Sequence, residues 1–220
     1  MKQLEKNLGY EFKNISLLEQ ALTHSSYANS SNTKSYERLE FLGDSVLSLI
    51  ISKYLYDKFS FEEGELSKMR ASIVCEHSLA QCSRKLGIGK YMLLDKGEEL
   101  TGGRDRESIL ADMFEAILAA IYLDGGKDRA ERFVMTNLKD IISLSEQGKI
   151  NTDYKSHLQE IAQAEGKKVE YELYKTEGPE HMRTFFSQVV IDGSVLGKGS
   201  GKNKKESEQA AAKKAIEQLQ

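Results

Sequence analysis

Ser108-Ile109-Leu110-Ala111-Asp112-Met113-Phe114-Glu115-Ala116-Ile117-Leu118-Ala119-Ala120-Ile121-Tyr122-Leu123 reads as a helix with apolar residues around almost its whole circumference. A helix of that kind is normally buried in protein. Apart from Tyr122, its only ionisable groups are Asp112 and Glu115. Three residues apart, they share one face and repel each other. Burying an unpaired carboxylate costs several kcal/mol (an order-of-magnitude figure) even after relaxation. Something has to compensate, and either a divalent cation or a pair of arginines would do so.

The same puzzle recurs upstream. In Glu37-Arg38-Leu39-Glu40-Phe41-Leu42-Gly43-Asp44, the three acids fall at i, i+3 and i+7, which stacks them on one helix face. The segment continues as Val46-Leu47-Ser48-Leu49-Ile50-Ile51, strongly apolar. Two buried helices with such stripes bring their acids together where they touch. A cluster of hard oxygen donors suits magnesium or manganese rather than zinc. For Glu37 alone, an ordinary exposed acidic face is an adequate account. It is a poor one for Asp112 and Glu115, whose helix has little other polar surface.

Helical periodicity extends over the first two thirds of the chain, with proline absent until Pro179. It predicts helices over 4–8, 16–23, 36–59, 63–74, 76–86, 108–124 and 127–144, with a loop over 97–107 and no alternating strand. The stretch from Ser145 to Thr152 is short and polar and reads as a linker. Beyond it the pattern becomes α-β-β-β-α: a helix over 153–164, strands over 169–175, 184–192 and 194–199, and a last helix to Leu219 with Asn203 as its N-cap. Asp192-Gly193 is a hairpin turn signal. The expected organisation is an all-α domain over 1–146, a linker over 147–152, and a small α+β domain over 153–220.

Charge sharpens this division. The 220 residues carry a net charge of −3, which alone says nothing of nucleic acid. Between Gly193 and Lys214, however, lie six lysines and only two acids. A local basic stripe binds phosphate even on an acidic chain. The two cysteines, Cys75 and Cys82, have neither metal-ligand nor redox spacing, and read as reduced thiols. The first residues lack the apolar run of a signal peptide, and no apolar stretch is long enough to span a bilayer. The expectation is a soluble, cytoplasmic protein without membrane contact.

The segment Glu37–Leu47 resembles the signature of the ribonuclease III family. Three further segments follow in the family's order: Ala21-Leu22-Thr23-His24-Ser25, Glu63–Arg70 and Gly102–Asp112. Past the linker, Tyr154–Glu160, Gly178-Pro179-Glu180-His181 and Asn203–Ala212 are similar to a double-stranded-RNA-binding domain. The resemblance covers essentially the whole chain. It implies an all-helical, homodimeric nuclease domain followed by an α-β-β-β-α domain. Its substrate would be double-stranded RNA and its cofactor magnesium, with manganese substituting and no organic cofactor.

By the same resemblance, Glu40, Asp44, Asp112 and Glu115 are metal-site acids, with Asp44 and Glu115 as the catalytic pair. Glu37 and Glu63 match outer acids, and Phe41 an aromatic of the dimer interface, although its own sequence context equally suggests core packing. Gln159, His181, Asn203, Lys204 and Lys205 match RNA-contacting positions. The implied reaction is metal-assisted hydrolysis of each strand, leaving 5′-phosphate and 3′-hydroxyl ends with a short 3′ overhang, with ribosomal RNA precursors as the usual substrates. Two positions depart from the RNA-binding pattern: Glu208 stands where a third basic residue is common, and Ser207 where alanine is. Arg104 and Arg106 are equally open to RNA contact and to simple exposure. A non-cleaving RNA-binding relative would have lost at least one core acid, and all four are present. A helical adaptor with a basic tail leaves the acids within apolar helices unexplained.

Overall fold

The computed structural model describes residues 1–146, 154–179 and 183–219. The chain divides into two compact units, Met1–Ile150 and Asn151–Gln220. The linker expected over 147–152 lies outside the described residues.

The first unit is helical among its described residues, with α1 (Lys2–Leu8), α2 (Ile15–Ala21), α3 (Ser25–Ser31), α4 (Glu37–Lys58), α5 (Glu63–Ile73), α6 (Glu76–Leu86), α7 (Lys96–Leu100), α8 (Glu107–Gly125), α9 (Lys127–Asn137) and α10 (Lys139–Glu146). Extended pairing is limited to an isolated bridge between Thr23 and Leu93. The apolar α8 forms the axis of the core, and the side chains from Met113 to Ile121 are fully buried, Glu115 excepted.

α4 crosses α8 closely, and Gly43 is the reason. A Cβ at that position would sit 2.0 Å from the backbone oxygen of Glu115 and 2.4 Å from its carbonyl carbon. At the far end of α8, Asp124 fastens the N-terminal segment. Its carboxylate accepts from the Tyr10 hydroxyl at 2.7 Å and from the N–H groups of Lys13 and Asn14, each at 2.9 Å.

Several boundaries differ from the sequence reading. Helix α3 was not expected, because its residues are polar and only Ala28 is buried. It forms because the His24 ring accepts from the Ser26 N–H and caps it. Asp95 similarly caps the short α7, inside the stretch read as loop. The single helix expected over 127–144 breaks at Leu138, which is fully buried. Ser145 and Glu146 belong to α10 rather than to a linker. Ser145 Oγ lies 3.1 Å from Ser72 Oγ, and Glu146 accepts from Tyr54 and Lys58 at 2.6 Å.

The second unit has the expected order: α11 (Tyr154–Ala164), β1 (Val169–Glu177), β2 (Thr184–Ile191), β3 (Ser194–Gly201) and α12 (Lys204–Leu219). The strands form an antiparallel sheet in the order β1-β2-β3. Asp192 and Gly193 turn the β2–β3 hairpin with positive φ at both positions, as a tight two-residue hairpin demands. Both helices pack on one face of the sheet over Leu158, Ala162, Val189, Ile191, Ala211, Ala212, Ala215 and Ile216. Gly197 and Gly199 let α12 rest directly on β3, since a Cβ at either would strike the backbone of Ala211 within 2.3 Å. The Ser207 departure is structural: its hydroxyl is buried 2.7 Å from that of Ser187.

The crossing at Gly43 yields a direct test. Gly43→Ala forces a methyl group into the α8 backbone, and overpacking of this kind costs about 3 kcal/mol, the upper end of its usual range. Urea unfolding should show that loss. Stability equal to that of the unsubstituted protein would mean the two helices are not held this close.

Candidate active site

α4 and α8 bring together four of the acids singled out in the sequence. Glu40, Asp112 and Glu115 are half-buried, and Asp44 is exposed beside them. Their electrostatics report their proximity. Burial, then Asp44, Asp112 and Glu40 in turn, push the Glu115 carboxyl up to about 8. Burial raises Glu40, and Asp112, Glu37 and Asp44 add to the effect. Burial also raises Asp112, against the lowering influence of its hydrogen bond from Tyr36 and of nearby His24.

Arginine does not compensate this charge. Arg70 donates to Ser52, Arg84 to Glu107 and Arg104 to Glu99, and Arg106 pairs with Glu98. Among the described residues no ion pair involves Glu40, Asp44, Asp112 or Glu115. Nor, among those residues, do three His, Cys, Asp or Glu side chains stand in an arrangement ready to hold a metal ion. The donor set is nevertheless all carboxylate, and hard divalent cations favour such oxygens. The residues fit a cation of that class.

Tyr36, which the sequence did not mark, belongs to this region. Tyr36, 5% exposed, donates its hydroxyl to Asp112 Oδ2 at 3.0 Å. Its ring lies against that of His24, with centroids 5.7 Å apart. Glu37 is at the edge, exposed and accepting from Ser35 Oγ at 2.8 Å. Glu63, at the start of α5, is exposed and accepts from Ser67 Oγ at 2.7 Å. It is not among the groups that shift Glu40, Asp112 and Glu115.

Residues 14–142 match the family described as Ribonuclease-III-like, and residues 154–219 match the double-stranded RNA binding motif. A protein named Ribonuclease 3 from Caldanaerobacter subterraneus subsp. tengcongensis is 54% identical over 220 residues, spanning 98% of this chain and 96% of its own length. The chain belongs to the ribonuclease III family. A second Ribonuclease 3, from Clostridium perfringens, is 50% identical over 99% of this chain and 93% of its own length. The crystal structure of the nuclease domain of ribonuclease III from Campylobacter jejuni superposes with a TM-score of 0.60 at 42% identity, covering 64% of this chain and 95% of that one.

On this ribonuclease III, Phe41 is not a core residue, contrary to what its position in an apolar helix suggests. Its ring is 78% exposed. Leu49 (62%) and Tyr56 (77%) are exposed on the same helix, eight and fifteen residues on and therefore close in angle on one face. Leu49 and Tyr56 line a groove together with Leu66 and Arg70 among others. Arg104 is no free loop cation either: it donates to the carbonyls of Gly89 and Met92 at 3.0 and 2.9 Å and locks the approach to α8.

In the second unit, Gln159 is exposed on α11, and Lys204 and Lys205 are exposed at the start of α12. Both ends of the Asn203 side chain are taken up by the helix cap. Its oxygen accepts from the Glu206 N–H at 2.8 Å and its amide donates to Glu206 Oε1 at 2.7 Å. Glu208 turns inward, 2.6 Å from Lys155 Nζ. His181 lies outside the described residues.

Glu115 makes the metal-free protein pH-sensitive. Its native-state carboxyl holds its proton up to about 8, far above the ordinary glutamate range. The stability gained from that preference is full below the unfolded-state value and is lost as pH rises through about 8. In chelator, urea midpoints should therefore fall between about pH 5 and about pH 9. Glu115→Gln should flatten the decline. An equally steep decline in the variant would show that the charge burden lies elsewhere.

Proposed function

We propose that this ribonuclease III is a divalent-metal-dependent endonuclease that hydrolyses both strands of double-stranded RNA as a homodimer. Magnesium is the working ion and manganese substitutes. The observation that carries this reading is Glu115, half-buried and crowded by Asp44, Asp112 and Glu40, with no ion pair to any of the four among the described residues. Ionised together, these acids require a cation, and they present the oxygen donors that magnesium takes. A divalent cation bound there would activate the attacking water and neutralise charge on the scissile phosphate and the leaving 3′ oxygen.

The chain's own residues do the rest. Asp44 and Glu115 are the catalytic pair, with Glu40 and Asp112 completing the donor set and Glu37 and Glu63 as outer acids that orient water or RNA. Water adds to phosphorus, the bond to the 3′ oxygen breaks, and the products carry a 5′-phosphate and a 3′-hydroxyl. Offset cuts on the two strands leave a short 3′ overhang. No serine or cysteine nucleophile is required. The setting is cytoplasmic, with ribosomal and other RNA precursors as substrates; no helix among the described residues is long and apolar enough to cross a membrane.

The second unit supplies affinity. A-form RNA offers 2′-hydroxyls across a shallow minor groove and phosphates between successive grooves. Gln159 and His181 address the grooves. Lys204 and Lys205 meet phosphate at the N-terminus of α12, where helix polarity favours anions. Asn203 serves this surface through its cap, holding the two lysines at the helix start.

Glu115→Gln keeps the shape of the site and removes one charge. Cleavage of a long duplex in magnesium should fall by several orders of magnitude, as loss of a metal ligand affects both nucleophile and transition state. Duplex binding should persist, and chelator should abolish cutting by the unsubstituted protein. The exposed Glu11→Gln is the control. Undiminished cleavage at low magnesium would refute the metal assignment.

The exposed stripe of α4 is the homodimer contact in this reading. Phe41→Asp should raise the dimer dissociation constant at least about 100-fold, in line with loss of an aromatic hot spot, with little change in helix content. Sedimentation across a concentration series measures it. A dimer of unchanged affinity would place the interface on another face.

A further inference from the structure

The hydroxyl of Tyr36 reaches a carboxylate oxygen of Asp112 across 76 residues of sequence. We propose that Tyr36 is a positioning residue for the divalent-cation site, fixing the rotamer of Asp112 by occupying Oδ2 and leaving Oδ1 to face the other acids. The proposal rests on Asp112 being a metal-site acid, as argued above.

The geometry around Tyr36 is that of a fixed strut. Its backbone N–H donates to Thr23 O at 2.9 Å, and its carbonyl accepts from the Leu39 and Glu40 N–H groups at 2.8 and 3.0 Å, opening α4. The segment carrying Thr23 is itself pinned. His24 N–H donates to Leu93 O at 3.0 Å, and Leu93 N–H donates to Leu22 O at 2.9 Å. The preceding carbonyl, that of Ser35, accepts from Gln20 Nε2 at 3.1 Å. On its ring face Tyr36 meets His24, whose Nδ1 is engaged by the Ser26 N–H at 3.2 Å and lies 2.9 Å from Ser26 Oγ. Backbone, ring and hydroxyl of Tyr36 are therefore all held.

Asp112 needs such a strut. An aspartate on a helix has two free torsions, and the neighbouring carboxylates of Glu40 and Glu115 repel its charge. One donor of fixed position on Oδ2 opposes that push. Partners that orient metal ligands in this way are commonly worth about 10- to 100-fold in metal affinity.

Full-length Tyr36→Phe keeps the ring and its packing and removes only the donor. The first readout is cation binding without RNA: manganese or magnesium titrated into the chelator-stripped protein, followed by calorimetry and by the rise in melting temperature. The second is the magnesium dependence of duplex cleavage. The expected result is a cation dissociation constant and a magnesium midpoint both raised at least about 10-fold. The rate at saturating magnesium should return to within about threefold of the unsubstituted protein, a margin small beside that 10-fold shift. Melting of the stripped variant reports its folding, and Asp112→Asn is run in parallel. Unchanged cation affinity in Tyr36→Phe, with weakened affinity in Asp112→Asn, would overturn the positioning role and leave the metal site standing. So would a rate loss that magnesium does not restore while cation affinity is unchanged. Unchanged affinity in Asp112→Asn would remove Asp112 from the site and the proposal with it.

Discussion

The approach of α4 to α8 at Gly43 is the constraint on which the first unit turns. Side chains normally hold helix axes roughly 8–10 Å apart. Here a missing Cβ lets one helix press against the carbonyl of Glu115 on the other. Asp44 is the next residue along α4, and Glu40 lies one turn before it. The contact that closes the core therefore sets two acids of one helix against two of the other. Packing and site geometry are one feature: a wider crossing would relax the charge repulsion and disperse the donor set.

That arrangement runs against ordinary folding energetics, and the rest of the unit accommodates it. The burden falls on α8, whose apolar surface is otherwise almost wholly buried. Apolar burial at roughly 25 cal/mol per Å² offsets a destabilised patch of a few groups. The cations that might have relieved the acids are used to brace the approach to α8 instead. Arg84 ties Glu107 and the Asp105 carbonyl, and Arg104 ties Glu99, Gly89 and Met92. With its approach braced by these arginines, its far end fastened through Asp124 and its middle closely packed, α8 holds acids that have no ion pair among the described residues.

How far the sequence disclosed this depends on the physics of each residue. Asp112 and Glu115 were legible because a carboxylate in an apolar helix is anomalous in any context. The α-β-β-β-α order was legible because strand alternation and Asp192-Gly193 are local signals. Tyr36 was not, because a tyrosine beside a helix start is unremarkable until its hydroxyl is seen on Asp112. For Phe41 the resemblance implied an interface while its sequence context equally suggested core packing; the exposed ring removes only the latter, because helical periodicity separates apolar from polar positions without telling a core face from an exposed one. Helix α3 was missed because its stability comes from the His24 cap and from docking rather than from apolar spacing. Arg104 looked like a free loop cation because its acceptors are carbonyls, which carry no sequence signature.

Glu208 shows the same principle in the second unit. As a sequence feature it removes a positive charge from the helix to which the resemblance assigns phosphate contacts. In the fold it is nearly buried and accepts from Lys155 Nζ at 2.6 Å, while that ammonium group also lies 4.5 Å from the centroid of the Tyr171 ring. One residue along, Gln209 accepts from the Lys155 backbone N–H at 3.1 Å. These bonds join the first turn of α11 to α12, and so fix Gln159 relative to Lys204 and Lys205. A lysine at 208 would face Lys155 with like charge in a partly desolvated setting and loosen that joint. The acid thus sets the spacing between α11 and α12 on which, in the proposed reading, contacts from Gln159, Lys204 and Lys205 depend. For a ligand recognised by shape across successive grooves, that spacing matters more than a single additional charge.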